Sequence, residues 1–222
     1  GIKPIFGMEA YVDSVTNTGQ KYHHMVILVR NRTGLNNLYR MSSMSYEENM
    51  KGKFGVIRPE WIKEYGEGLI FLSACMQGEL PYLLRTGNDD KVPQFIDFMK
   101  GLDFFVELVD IGTPEQDALN ARLSAVAEHY NLKAVVTPDT HYFAEDRWWY
   151  PTFWTSNRHF SDTYEEKFDD MSRMDLSLPL PEEMERKYPK EAANTCLVAD
   201  MIEDVKIGFD KHMMPKLSVE TD

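Results

Sequence analysis

A chain of 222 residues with 43% hydrophobic and 27% charged residues is long enough to bury a substantial core as one large domain or a domain with an appendage, and its composition excludes general disorder. The net charge of −12 argues against a surface that tracks phosphates along a nucleic acid, so a DNA substrate would have to be held by other parts of the protein. The two cysteines, Cys75 and Cys196, are too few and too far apart for a disulfide framework, no apolar run is long enough for a membrane span, and Gly1-Ile2-Lys3-Pro4 does not read as a signal peptide, which together point to a soluble protein of a reducing, cytoplasmic setting.

The chain opens at a residue that reads like the approach to a strand, with no initiator methionine, and an upstream portion is expected. Ile2 to Val12 is a strand interrupted by Gly7, and Glu9 sits in it among apolar neighbours, an expensive place for a carboxylate unless it is paired or bound to a cation. A polar turn, Asp13 to Gln20, leads to a second strand, Tyr22 to Arg30, with His23 and His24 at its entrance. One of the two faces inward if the strand alternates, as a satisfied core histidine or as a ligand.

Thr33 is expected to open a helix to about Tyr46, with Leu35, Leu38, Met41 and Ser42 on one face. Lys51 to Gly68 reads as irregular, with a solvated basic loop at Lys51, Lys53 and Arg58 and a short helix after Pro59 carrying Trp61, Ile62 and Tyr65. Gly68 then releases the strand Leu69-Ile70-Phe71-Leu72, which ends in Ser73-Ala74-Cys75. That cysteine is either a small buried hydrophobe or a thiolate ligand at a strand terminus.

Helices follow at Gly78 to Thr86 and at Asn88 to Lys100, the latter burying Phe95, Phe98 and Met99. Asp103 to Val109 is the next strand. Thr113-Pro114-Glu115-Gln116 is a strong helix start, with Thr113 capping the amide three residues on and Gln116 completing a capping box. The helix is expected to run to about Tyr130, with Leu119, Leu123, Val126 and Tyr130 inward.

It feeds into Ala134-Val135-Val136-Thr137, a β-branched run typical of a strand buried on both faces. The strand breaks at Pro138 and delivers Asp139 and His141, which in an extended segment point the same way. They are either a turn-former and a half-exposed polar residue, or a two-ligand jaw for a divalent metal.

Beyond Phe143, the tryptophan-rich 145–156 reads as a core wedge or a contact patch for a neighbouring domain. Residues 161–180 are polar and turn-rich. One helix starts at Pro181, and another runs from Pro189 to Ile202 with Ala193, Leu197, Val198 and Met201 on one face and an inert Cys196. Residues 208–222 read as a linker. The divisions expected are 1–143 for strand–helix units, 144–207 for an aromatic and helical part, and 208–222 for the linker.

Alternating strands and amphipathic crossovers imply an α/β fold with a mainly parallel sheet, open or closed as a barrel, in which chemistry gathers at the carboxyl ends of the strands. Cys75, Asp139 and His141 lie at such ends and Glu9 near one. His24 does not follow this rule simply, because it begins its strand.

The succession GIKPIFGMEAYV, YHHMVILVRNRTGLNNLYRM, EGLIFLSACMQGEL, FFVELVDIGTPEQ and AVVTPDTHYF, closing with KEAANTCLVADMI and HMMPKL, closely resembles the polymerase-and-histidinol-phosphatase (PHP) domain of C-family bacterial replicative DNA polymerases, the DNA polymerase III alpha subunits. The resemblance runs through essentially the whole chain. It implies a distorted βα barrel, here incomplete at its N-terminal strands and carrying a C-terminal helical extension. It also implies a metal-dependent phosphoesterase able to act as a 3′ to 5′ proofreading exonuclease where the ligand set is complete.

Carried over position by position, the resemblance makes Glu9, His24, Cys75, Asp139 and His141 metal ligands for zinc or manganese, Asp139 and His141 also serving the reaction, with His23 a neighbour behind them. The His-x-His strand and Asp-His turn with which family members begin are absent, so a partial site is expected, weakly active or structural in isolation, within a parent DNA-directed DNA polymerase. The implied partners are the polymerase core of the same protein, DNA through the parent enzyme, and other replisome subunits. Two rival readings are a stand-alone phosphatase of the same superfamily acting on a small phosphorylated metabolite, and a metal-free scaffold whose tryptophan-rich segment docks a partner.

Overall fold

The strand Leu69–Leu72 (β5) is buried at every position, as expected of an apolar run with no polar face, and the sheet is built outward from it in both directions. The structure, a computed structural model, describes residues 2–143 and 174–207. The tryptophan-rich segment, the polar 161–173 and the terminal 208–222 lie outside the described residues.

On one side of β5 lie His23–Val29 (β2) and then Gly7–Val12 (β1), and on the other Asp103–Val109 (β6) and Ala134–Thr137 (β7), giving the order β1-β2-β5-β6-β7. β5, β6 and β7 run parallel, joined by helical crossovers. β2 is antiparallel to both of its neighbours. The sheet is therefore mixed, where a mainly parallel one was expected, and among the described residues it is an open sheet of five strands with no barrel closure.

Alternation divides the side chains between two faces. Ala10, Val12, Ile27, Phe71, Val106 and Val136 join the larger core. This core is covered by Arg32–Glu48 (α1), Pro59–Tyr65 (α2), Glu79–Arg85 (α3), Val92–Met99 (α4) and Pro114–His129 (α5). On the opposite face Ile70, Leu72, Phe105 and Val135 meet Val198 and Ile202. These last two belong to the end of Pro189–Met201 (α7) and the residue beyond it, preceded by the short helix Pro181–Lys187 (α6). Asn194 ties α7 to the sheet by donating to the Ala134 carbonyl at 2.7 Å.

The expected elements recur with local shifts of phase. Asn31, not Thr33, caps α1, its side chain accepting from Gly34 N, and Ser45 is buried where Ser42 was expected. Ile96 replaces Phe98 on the buried side of α4, Ala127 is buried on α5 where Val126 and Tyr130 are only partly so, and on α7 the buried alanine is Ala192, not Ala193. Thr113 caps α5 as expected, but the Gln116 side chain donates to Asn120 at 2.9 Å instead of turning back to close a capping box, and Asn120 donates in turn to the Val109 carbonyl. A hairpin of Met50–Lys51 (β3) and Phe54–Gly55 (β4) interrupts the stretch expected to be irregular. Lys51 is no free loop cation, since it is paired with Asp13.

Two glycines are required by close backbone approach. A Cβ on Gly34 would stand 1.7 Å from the Gly68 carbonyl oxygen, where the start of α1 crosses the approach to β5, and one on Gly78 would stand 1.9 Å from the Ser73 carbonyl oxygen.

Candidate metal centre

The antiparallel course of β2 accounts for His24. Because β2 runs against β5, its first residues lie beside the last residues of β5, so a histidine at the start of one strand and a cysteine after the end of the other reach the same rim of the sheet. A parallel bridge between His24 and Gly78 and the hydrogen bond from His24 N to the Gln77 carbonyl, 3.1 Å, fix this juxtaposition.

Tyr11 faces His24 in the ladder and Glu9 faces Val26. Glu9, Tyr11 and His24 therefore share the face opposite the larger core. His24 Nδ1 donates to Glu9 Oε1 at 2.7 Å, and the same nitrogen lies 3.7 Å from Cys75 Sγ. The hydrogen bond from His24 holds the Glu9 carboxyl below its ordinary range against the opposing effect of burial, with the charges of His24 and His141 adding to it. Burial pulls His24 down, but its hydrogen bonds to Cys75 and Glu9 outweigh burial and raise it to about 9. The ring is thus an imidazolium at neutral pH.

Cys75 follows Ala74, a non-glycine residue at φ 61°, a left-handed turn of the kind that functional sites retain. The turn brings Cys75 against a small cluster of Val109, Ile111, Tyr142 and Leu176. Tyr142 adjoins His141. The loop carrying Asp139 and His141 is pinned by the hydrogen bond from His141 N to the Leu176 carbonyl, 2.8 Å. Within the loop, His141 Nδ1 is 2.8 Å from the Asp139 carbonyl oxygen and 3.7 Å from Asp139 Oδ1. Donation from Nδ1 to that carbonyl puts the ring's lone pair on Nε2, the tautomer common among metal-binding histidines.

His24 thus meets both Glu9 and Cys75, while Asp139 and His141 form a second pair in the loop after β7. His23 points the other way. It is buried, with Nε2 2.7 Å from Thr18 Oγ1 and Nδ1 3.2 Å from the Gln77 carbonyl oxygen, which makes it a structural histidine. Cys196 is exposed on α7.

One acid of this rim was not singled out from sequence. Glu107, in β6, is 6% exposed; Thr137 Oγ1 donates to its Oε1 at 2.6 Å, and its own amide donates to Ser73 Oγ at 2.8 Å. Burial raises its carboxyl, hydrogen bonding from Thr137 and from the Ala74 amide opposes that, and the neighbouring charges of Glu9 and Asp139 push it up further. The signal for it in DFFVELV is a single acid inside a strand with no polar side.

The donors fit a divalent ion in kind, two imidazoles, a thiol and carboxylates being the usual set for zinc and, without the thiol, for manganese. The buried Glu107 Oε2, which has no hydrogen-bond partner among the described residues, is a further group suited to a cation. In arrangement they do not yet form a cage, since no three of them among the described residues are placed to hold one ion together.

The PHP domain family matches residues 1–111. The chain is 36% identical over 164 residues to DNA polymerase III subunit alpha of Aquifex aeolicus, an alignment covering 67% of this chain and 14% of that protein. The same subunit of Saccharopolyspora erythraea is 30% identical over 253 residues, covering 98% of this chain and 21% of that protein. That of Borreliella burgdorferi is 26% identical over 235 residues, covering the whole of this chain and 20% of that protein. The chain thus spans about a seventh to a fifth of the length of these curated relatives. An open α/β sheet whose acid, imidazole and thiol side chains meet at one rim, together with this match over half of its length, makes the chain a member of the PHP domain family.

Proposed function

We propose that this chain is the PHP portion of a replicative DNA-directed DNA polymerase of the DNA polymerase III alpha type, and that its rim takes part in a divalent-metal centre for phosphodiester hydrolysis. The observation that carries the reading is His24, whose Nδ1 contacts both Glu9 and Cys75 at the edge next to the Asp139–His141 loop. An ion bound there would lower the pKa of a water and neutralise charge on a leaving oxygen.

The work left to the chain is to hold and orient. Glu9 and Asp139 supply negative charge, His24 and His141 neutral imidazoles once His24 has lost its proton, and Cys75 a thiolate that favours zinc over manganese. Asp139 and His141, in the loop at the mouth, are the residues to meet a scissile phosphate. In this reading the partners are the polymerase core of the same protein, the DNA that core holds, and other subunits of a replication machine. The acidic balance of the chain accords with its leaving the grip on DNA to other parts.

No three of these donors among the described residues are placed to hold one ion, so the chain by itself is expected to hydrolyse phosphodiesters weakly or not at all. A labelled single-stranded oligonucleotide incubated with the chain and Mn²⁺ or Zn²⁺ tests this. Slow or absent 3′ to 5′ shortening is the expected result. Robust shortening abolished by His141→Ala would show that the rim is already sufficient.

A further inference from the structure

Glu107 is placed where a strand has no reason to carry an acid. Its neighbours Val106 and Leu108 belong to the larger core, and Phe105, two residues back, packs under α7 on the opposite face. By alternation Glu107 shares the face of Phe105, and so the face of Glu9 and His24. Its position is set by register: Phe105 pairs with Leu72 at the end of β5, and Glu107 lies two residues further, level with Val135 of β7 and beside Ser73 and Ala74. The carboxylate therefore stands under the rim, behind Cys75 and the Asp139 loop.

Half of that carboxylate is explained by the fold. Oε1 accepts from Thr137 and braces β6 against β7, and the Ala74 amide also acts on the carboxyl group. Oε2 is buried and has no hydrogen-bond partner among the described residues. A glutamine could keep the Thr137 contact without the desolvation of an unpaired acid. The acid is also within electrostatic reach of two others, Glu9 and Asp139. Glu9 is already met by His24, whereas the buried Glu107 oxygen faces two like charges with no donor of its own, a placement that a bound cation would stabilise.

We infer that Glu107 is the innermost carboxylate ligand of the divalent-metal centre, binding zinc or manganese through the oxygen that Thr137 does not engage. This rests on the metal reading above. Thr137 then acts as a positioning residue, holding Oε1 so that the other oxygen is presented to the ion, the role that hydrogen-bonded partners of ligating carboxylates commonly play.

The test is the metal affinity of the full chain and of Glu107→Gln, titrated with ZnCl₂ and with MnCl₂ by calorimetry, alongside thermal unfolding of both proteins stripped of metal. Glu107→Gln is expected to fold, to melt no lower than the parent without metal, and to bind the ion at least tenfold more weakly. Affinity within twofold of the parent would overturn the inference and leave Glu107 as a strut between strands. A parent chain that takes up neither ion would overturn the metal reading itself, a failure visible before any variant is made. Should Glu107→Gln not fold, the parent answers alone: with carboxyl-labelled glutamate, the Glu107 ¹³C resonance, assigned with Glu107→Asp, is expected to move on addition of Zn²⁺, and a stationary resonance under saturation of the site would refute ligation.

Discussion

Glu9 and His24 are not paired in the ladder of β1 and β2, where they face Val26 and Tyr11, yet their side chains meet along the diagonal at 2.7 Å. Diagonal contact of this kind needs a long side chain on one strand and a twist that brings it over its neighbour. It ties the charge of the edge strand to the ring that β2 presents at the rim.

The contact makes stability depend on pH. His24 is raised to about 9 by Cys75 and Glu9 in spite of burial, whereas an unfolded histidine titrates near 6.5. A raised folded pKa contributes stability that is fully present below about 6.5 and is lost as pH rises through about 9. Because Glu9 is half exposed, the contribution is discounted to about 1 kcal/mol. Urea unfolding of metal-free protein between pH 6 and 9.5 should show this decline, and Glu9→Gln should lessen it, leaving the part due to Cys75.

Metal uptake should release protons. If His24 is a ligand, as proposed, its proton must leave as the ion arrives, because an imidazolium cannot ligate. Affinity for Zn²⁺ should therefore rise by roughly tenfold per pH unit below about pH 9 if one proton is displaced. Calorimetry in buffers of different ionisation enthalpy counts the proton directly, and removal of the ion by a chelator should lower the melting temperature.

Gly78→Ala should be among the most damaging small substitutions. The added methyl would stand 1.9 Å from the Ser73 carbonyl oxygen, so the turn carrying Ala74 and Cys75 would have to shift. A loss of about 2 kcal/mol or more is expected from such overpacking of backbone. Chemical denaturation measures it, and the thiol of Cys75 should at the same time become more reactive toward a disulfide reagent.

Glu79, at the start of α3, is buried and accepts from Ser14 Oγ, Val15 N, Thr16 N and Thr16 Oγ1 at 2.7 to 2.8 Å. It clamps the loop between β1 and β2. Glu79→Ala leaves these donors unsatisfied and should cost about 3 kcal/mol or more, and Glu79→Gln less, because glutamine keeps an acceptor for at least one of them. Amide exchange should accelerate at Val15 and Thr16 in both variants.

The strands were legible in the sequence because apolar runs such as Leu69–Leu72 and Ala134–Thr137 are bounded by glycine, proline or polar turns. The capping of α5 was legible because Thr113 and Pro114 act within one turn of chain. The direction of β2 was not, since strand pairing is settled by contacts far apart in sequence, and without it His24 looked misplaced. The two-residue strands of the hairpin are too short to leave a period. Glu107 was hidden by its company: within DFFVELV the apolar residues announce a buried strand, and the one acid is easily taken for an exposed position that such a strand does not possess. Ser45 and Ala192 differ from expectation by the helical phase alone, since neighbouring small residues carry little information about which one faces inward.

The donors at the rim come from every strand of the main sheet or from the turn that follows it: Glu9 from the outer edge, His24 from its neighbour, Cys75 beyond the middle strand, Glu107 within the next and the Asp139–His141 loop after the last. Were these donors drawn together on an ion, as proposed, the ion would link strands that are far apart in sequence across the described sheet. Its release should then track cooperative melting of the whole sheet, and fraying at either end of the chain should leave it undisturbed.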